Sequence, residues 1–313
     1  ILEKHPGARF IPFVGGKPPA RWQSNHPDEM ILREDGRRLD IANAGSPPWR
    51  ADSTDAVRRF VEHFEASDLA NHIAGYNLIY DGNEWLLGYT KHTDFSTPAR
   101  ARFRQWLRDA YRNDLAALRR AWKDTQITFE TADVPRAVEY EAGGMEGMFE
   151  RHEQRGCRAS DYLRFFNQRV ADLLLAYARA VKEASDRRKL VSAMFGYTYS
   201  YPIGQLSPAH SGHMDNLRVL ESPDVDLLHA PYDYYNHCLG GGHYSQYTVD
   251  SILLHGKVFA DQIDSKTHVH VLSPALAESG GNANTPWESE QILKRDVSFS
   301  LSRNAYHYYY EMC

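Results

Sequence analysis

Short apolar segments alternate with longer amphipathic segments along nearly the whole chain of 313 residues. This alternation restricts the set of possible folds more than any other feature, because strands that alternate with helices build a parallel sheet covered by helices. The predicted strands lie at residues 8–14, 73–80, 190–197, 225–231, 257–263 and 305–312. We therefore predict an α/β fold with about six parallel strands.

The helices between these strands are predicted from apolar residues that recur at spacings of three and four and mark one buried face. The clearest one covers 160–185 with Ser160 as its N-cap, and the first is capped by Asp52 or Ser53. The stretch 127–155 is irregular and polar, and we expect it to form a loop insertion near 127–158 that extends over the active face. The predicted helices are 52–66, 98–122, 160–185, 213–220, 249–254 and 288–303.

Composition and charge exclude several classes of function. The net charge of −5 gives no reason to expect nucleic acid as a partner, and no apolar run is long enough to cross a membrane. The three cysteines, Cys157, Cys238 and Cys313, lack the spacing of a zinc site or a disulfide framework. Fifteen histidines occur, but none falls in a metal-ligand pattern. We expect neither a metal nor a cofactor.

The segment 73–85 ends in the chain's strongest catalytic candidate. It reads as a buried strand that leads into Asn83, Glu84 and Trp85. In a parallel α/β barrel the chemistry lies at the C-terminal ends of the strands. A glutamate at that point suits the general acid and base of a glycoside hydrolase, the amide can bind a sugar hydroxyl, and the indole can pack on a sugar face.

Aromatic residues are abundant, with 19 Tyr, 13 Phe and 6 Trp, and many of them follow the predicted strands. Core packing accounts for most of them, but a carbohydrate cleft also uses flat apolar rings. Glu311, at the end of the last strand, is a further candidate for binding substrate. Besides Trp85, the candidate sugar contacts are Tyr197, Tyr232, Tyr235 and Trp287.

Several local patterns together resemble the β-galactosidase-like glycoside hydrolases, close to family 42 of the large clan of barrel enzymes with two catalytic glutamates. The resemblance runs from about residue 8 to residue 312. It rests on the Pro-Pro-Ala-Arg-Trp sequence at 18–22 with His-Pro-Asp-Glu at 26–29, and on the segments 73–85, 103–122, 222–232 and 257–268.

The resemblance implies a (β/α)8 TIM barrel in which residues 1–313 form one domain that supplies strands three to eight. Strands one and two have no counterpart, so we expect a missing segment or another chain, such as a second copy in a homo-oligomer, to complete the barrel. It also implies a carbohydrate substrate, a β-linked hexoside, and a retaining mechanism with Glu84 as acid and base.

The expected nucleophile is a glutamate in a Glu-x-Asp-x-Arg/Lys-Thr pattern, but this chain has Gln262 at that place, followed by Asp264 two residues later. An amide has the shape of a carboxylate without its charge, so it cannot attack well. Three interpretations follow: an inactivated glutamate position, a nucleophile at Asp261 or Asp264, or a non-catalytic carbohydrate-binding protein on the same barrel. An isomerase or aldolase would need a lysine or metal cluster at the strand ends, which the sequence does not show.

Overall fold

The computed structural model describes residues 1–80, 94–141, 157–198, 210–232, 237–269 and 283–310. Eight strands lie in these ranges: β1 Phe13–Gly15, β2 Met30–Leu32, β3 Arg38–Ala42, β4 Gly75–Ile79, β5 Leu190–Met194, β6 Leu227–Pro231, β7 Val258–Ile263 and β8 Tyr306–Tyr309. Six of them form one parallel sheet in the order β1-β4-β5-β6-β7-β8, and β2 and β3 form a separate antiparallel pair.

Helices connect the parallel strands, as the alternation of segments predicts. They are α1 Ala20–Asn25, α2 Pro47–Glu65, α3 Thr97–Ala110, α4 Leu115–Trp122, α5 Ala137–Glu141, α6 Arg158–Ala184, α7 Asn216–Glu221, α8 Val249–Leu254 and α9 Pro286–Ser302. Each strand of the sheet follows the previous one in chain order. The expected α/β fold is confirmed.

The sheet is curved like a barrel wall. His229 on β6 contacts Asn77 on β4 and Tyr308 on β8, although one strand lies between each pair. In a flat sheet, strands two places apart are separated by about 9–10 Å. Side chains of alternate strands meet across the concave face only when the sheet bends inward. This curvature is that of a (β/α)8 barrel wall, to which the described residues contribute six strands.

The main hydrophobic core lies between the outer face of this sheet and the surrounding helices. Because side chains alternate along a strand, Asn77 points inward while Tyr76 and Leu78 are fully buried on the helix side. Val61 of α2 and Leu174 of α6 belong to the same cluster. Apolar strands buried on both faces are typical of parallel sheets.

A second core lies beside the barrel, between α3, α4 and the first half of α6. It contains Phe103, Trp106, Trp122 and Phe165. The described part of the predicted loop insertion, residues 127–141, packs against this core: Ile127, Phe129, Ala132 and Val134 are buried in it. Residues 142–156 lie outside the described residues.

Several predicted helix boundaries differ from the structure. Helix α2 begins at Pro47, with Ser46 as the N-cap that accepts a hydrogen bond from the Trp49 amide, whereas Ser53 lies inside the helix. The predicted helix 98–122 is two helices, because Arg112 and Asn113 adopt positive φ angles of 50° and 59°. Such angles end a right-handed helix.

The remaining differences are smaller. Helix α6 begins at Arg158, so Ser160 is not its cap. The β2–β3 pair was not predicted, because its two strands are short, although Asp35-Gly36 between them is a hairpin turn signal that could have revealed it. The strands of the sheet are shorter than predicted, and β1 begins at Phe13 instead of residue 8.

Candidate active site

The side chains of neighbouring residues on β7 point in opposite directions. Gln262 faces the interior of the barrel, where its Oε1 lies 2.5 Å from the hydroxyl of Tyr308 on β8. Asp261 faces outward, where its Oδ2 accepts a hydrogen bond of 3.1 Å from Ser300 on α9. Both side chains are buried. Of the two, only Gln262 reaches the space inside the barrel.

A chain of hydrogen bonds crosses this interior from β7 to β4. The Tyr308 hydroxyl lies 2.6 Å from His229 Nδ1, and His229 Nε2 lies 2.9 Å from Asn77 Oδ1. These residues, together with Gln262, come from four different strands and meet inside the barrel. We call them the interior chain. Its members were not predicted as a group, because only Gln262 among them was expected to have a role.

His229 is neutral in this setting. It is deeply buried, and burial lowers the pKa of its imidazole to about 3. Among the described residues, its hydrogen-bond partners are a phenol and an amide. A neutral imidazole carries one N–H and one lone pair, so it donates a hydrogen bond on one side and accepts one on the other.

Asp264 lies two residues after Gln262 and is also buried. Its Oδ1 is 3.9 Å from Nε2 of His237. The His237 ring stacks on Tyr232, with ring centroids 4.0 Å apart. Asp264 directly follows Ile263, the last residue of β7, so it lies at the C-terminal end of that strand, where a reserve nucleophile would have to be.

Asp261 belongs to a buried ionic network between β7 and α9. His243 lies between Asp261 and Asp296, with its Nε2 2.5 Å from one carboxylate and its Nδ1 3.0 Å from the other. Burial lowers the pKa of His243, but the hydrogen bonds with both carboxylates outweigh it and raise the pKa. Arg295 binds Asp296 at 2.8 Å. His243 and Arg295 thus hold the two buried carboxylates in place.

The same network restrains Asp296 and Tyr232. Burial raises the pKa of Asp296, but hydrogen bonds from His243 and Ser265 and the charge of Arg295 lower it below its usual range. Burial, reinforced by the charge of Asp296, raises the pKa of the Tyr232 hydroxyl. The Tyr232 ring stacks on His243 with ring centroids 4.1 Å apart. These contacts join the end of β6 to α9. As part of the same network, Asp261 has a structural role between β7 and α9.

The candidate sugar contacts fall into three groups. Tyr197 and Tyr232 are at most 1% exposed, so sugar contact by either ring would require the covering residues to move. Trp287 is 61% exposed at the start of α9, a helix that follows β7. Its ring is accessible to a ligand. Asn83, Glu84, Trp85, Tyr235 and Glu311 lie outside the described residues.

One signal in the sequence could have identified the interior chain. Asn77 and His229 are polar residues within short strands that are otherwise apolar. A polar residue in a doubly buried strand needs a hydrogen-bonding partner. Such a pattern shows that a partner is needed, but it does not identify which residue on a distant strand is that partner.

In the ranges that the structure describes, no three or more His, Cys, Asp or Glu side chains are grouped so as to hold a metal ion. Within the same ranges, no helix has the length and apolar character to span a membrane.

Comparison with known proteins places these observations in context. The model of glycoside hydrolase family 42, described as β-galactosidase, matches residues 14–211. No curated protein sequence matches the chain. Among solved structures, the chain is similar to the catalytic domain of β-amylase from Paenibacillus polymyxa, with 13% identity and a TM-score of 0.63 over 99% of this chain and 77% of that one.

Two β-galactosidase structures are also similar. One, from the psychrophilic Marinomonas ef1, has 15% identity and a TM-score of 0.60 over 95% of this chain and 43% of that chain. The other is a catalytic mutant of the GH42 β-galactosidase Gan42B from G. stearothermophilus. It has 12% identity and a TM-score of 0.61 over 98% of this chain and 41% of that chain. The chain thus spans less than half the length of these two proteins. At such identities the likeness shows the fold alone.

Proposed function

The chain belongs to glycoside hydrolase family 42, the β-galactosidase family, and from that premise we propose that its barrel binds a β-linked hexoside such as a galactoside. The proposed chemistry is the retaining mechanism, in which one carboxyl group protonates the leaving oxygen and a second, about 5 Å away, attacks the anomeric carbon. Glu84 is the proposed acid and base, and position 262 is the proposed nucleophile position.

The direction of the Gln262 side chain is the observation that carries this proposal. Gln262 faces the barrel interior at the C-terminal end of β7, where substrates of barrel enzymes bind. Asp261 faces α9 and is held by His243 and Ser300, so it is poorly placed to attack a sugar. Asp264 remains the second candidate for the nucleophile.

An amide at position 262 changes what the site can do. It can hold a sugar hydroxyl but supplies neither a nucleophilic oxygen nor the negative charge that stabilises an oxocarbenium-like transition state. We therefore expect the chain to bind a β-hexoside and to cleave it slowly or not at all. Asn83 would bind a sugar hydroxyl near the reacting carbon, and Trp85 and Trp287 would pack on sugar faces.

Restoring a carboxylate tests the proposal directly. Gln262→Glu is expected to raise hydrolysis of an aryl β-galactoside by several orders of magnitude, because the new carboxylate both attacks and stabilises positive charge. The measurement is the rate of release of the aryl alcohol by the purified chain and by the variant. Adding Glu84→Gln to the variant should abolish cleavage of poor leaving groups and spare activated ones, since only poor leaving groups need the proton.

Two matched substitutions separate position 262 from its neighbours. Asp261→Asn removes an outward carboxylate and Asp264→Asn removes the reserve one. If Gln262→Glu remains inactive on every β-hexoside, while Asp264→Asn removes a measurable activity of the unmodified chain, the nucleophile is Asp264 and the assignment of position 262 is wrong.

Gln262 also favours a second function, that of a non-catalytic carbohydrate-binding protein on the same barrel. A buried amide that is held in place by Tyr308 suits recognition of a hydroxyl group. Under this alternative, the unmodified chain binds galactosides in calorimetry, Gln262→Ala weakens the binding, and Gln262→Glu creates no hydrolysis.

A further inference from the structure

The protons of the interior chain can be placed in more than one way, and the geometry decides between the possibilities. Tyr308 has a single hydroxyl proton and contacts both His229 Nδ1 and Gln262 Oε1. Neutral His229 also has a single N–H proton and contacts both Tyr308 and Asn77. With one proton each, these two residues can donate in only one direction at a time.

Two arrangements are self-consistent for the contacts among these four residues. In the first, His229 carries its proton on Nδ1 and donates to Tyr308, which donates in turn to Gln262 Oε1. In the second, His229 carries its proton on Nε2 and donates to Asn77 Oδ1, while Tyr308 donates back to His229 Nδ1. The second arrangement leaves Gln262 Oε1 facing an oxygen without a proton, so the Gln262 amide would have to turn over.

The amide of Asn77 distinguishes the two arrangements. As placed, its Nδ2 is buried and has no hydrogen-bond partner among the described residues. The oxygen and nitrogen of an amide are assigned from such networks and can be exchanged. When the Asn77 amide is turned over, Nδ2 donates to His229 Nε2, which needs a lone pair there. An unpaired buried donor costs about 1–3 kcal/mol, so this exchange favours the first arrangement.

We propose that Asn77, His229 and Tyr308 form a one-way chain of hydrogen-bond donors that ends on residue 262. Each member donates toward β7: Asn77 to His229, His229 to Tyr308, and Tyr308 to the side chain at 262. The three are positioning residues. They fix the Gln262 amide with its oxygen toward Tyr308, and they would offer the same O–H donor to a carboxylate at that position.

The surroundings of His229 support this direction. Full burial keeps its imidazole neutral, since burial lowers its pKa to about 3. A protonated imidazole would donate from both nitrogens and break the one-way order. The catalytic consequence, that Tyr308 holds a carboxylate at position 262, rests on the proposed function. The direction in which the interior chain donates its hydrogen bonds does not.

The state of His229 can be measured in the unmodified protein. Nitrogen-15 NMR of the imidazole distinguishes the two tautomers, and His229→Gln identifies the signal by its loss. We expect Nδ1 to carry the proton and Nε2 to be bare at neutral pH. A proton on Nε2, or on both nitrogens, overturns the proposed direction whatever the activity of the protein.

Tyr308→Phe removes both the acceptor for His229 and the donor to residue 262. In the unmodified background we expect the His229 proton to move to Nε2, with the Asn77 amide turning back so that its Oδ1 accepts that proton. Tyr309→Phe is the matched control, because Tyr309 is the next residue on β8 and is 59% exposed. An unchanged tautomer in Tyr308→Phe contradicts the proposal.

A second readout uses the Gln262→Glu background. There Tyr308→Phe should shift the acidic limb of the kcat/KM profile upward by about 1 pH unit, because the carboxylate loses a hydrogen bond that favours its charged form. Tyr309→Phe should leave the acidic limb at the same pH. A variant that only lost folded protein would show a lower rate without a shift of the limb. If Gln262→Glu is inactive while His229 carries its proton on Nδ1, the chain of donors stands and the nucleophile assignment fails.

Discussion

At the scale of single residues, the interior chain forms a polar cluster inside the barrel, whereas the outer face of the sheet is mostly apolar, with Asp261 as an exception. His229, Asn77 and Gln262 replace the branched apolar side chains that commonly fill the layers of such barrels. A buried polar layer is tolerated only when its members bind one another. Here each member binds at least one other, although the Asn77 Nδ2 donor has no partner among the described residues.

The neutrality of His229 has a consequence for stability. Its pKa is about 3 in the folded chain, against 6.5 for the ordinary residue. Between these values the unfolded chain binds a proton that the folded chain does not, so stability falls as the pH is lowered from about 6.5 toward 3. The full contribution is on the order of 3–5 kcal/mol, since each pKa unit corresponds to about 1.4 kcal/mol.

His229→Gln tests this consequence, because glutamine keeps hydrogen-bonding groups but does not titrate in this range. Urea unfolding at pH 7.5 and at pH 5 gives the free energy of unfolding of both proteins. We expect the unmodified chain to lose more stability than the variant over this interval. Equal losses would mean that His229 is protonated in the folded state.

At the scale of elements, the sequence predicts which segments fold but not where each one begins. The helices α2, α6 and α9 and the strands β4 to β8 were all expected, because their periodic apolar faces are local properties. Their ends depend on tertiary contacts. The Pro47–Pro48 pair reads as a helix breaker, yet both residues fit the first turn, where backbone N–H groups are unpaired in any case.

The same distinction applies to the candidate site. Gln262 could be singled out from its position after a predicted strand. Its link to Asn77 through Tyr308 and His229 could not, because Asn77 and His229 are 152 residues apart in sequence. Only the curvature of the sheet brings them together. Likewise, the outward direction of Asp261 depends on the register of β7, and a shift of one residue would exchange Asp261 and Gln262.

The Ser46 cap gives a prediction at this scale. The Ser46 side chain accepts a hydrogen bond from the Trp49 amide and begins α2, one of the helices that cover the barrel. Ser46→Ala should lower the free energy of unfolding by about 1 kcal/mol, whereas Ser46→Gly should cost only a few tenths. Denaturant unfolding measures both. Equal losses in the two variants would show that packing, and not capping, explains the effect of Ser46.

At the scale of the whole molecule, the position of residue 262 depends on how closely neighbouring strands approach. Gly75 at the start of β4 and Gly196 just after β5 lie against adjacent strands with no room for a side chain. A Cβ on Gly75 would lie 2.4 Å from the Leu190 carbonyl oxygen, and one on Gly196 would lie 2.0 Å from the Cβ of Ala230. These glycines let β5 pack tightly between β4 and β6, and therefore let Asn77 reach His229 across it.

Gly196→Ala should therefore disturb both the barrel and its interior. Because the new methyl group meets Ala230 beside the His229 backbone, β5 and β6 must separate, and overpacking of this kind typically costs about 1–3 kcal/mol. Gly7→Ala is the matched control, since a Cβ there meets nothing within 4 Å. We expect thermal unfolding to show a lower midpoint for Gly196→Ala alone, and nitrogen-15 NMR to show a changed His229 signal in that variant alone. An unchanged His229 signal in a clearly destabilised Gly196→Ala protein would mean that the interior chain keeps its geometry without the close approach of β5 and β6.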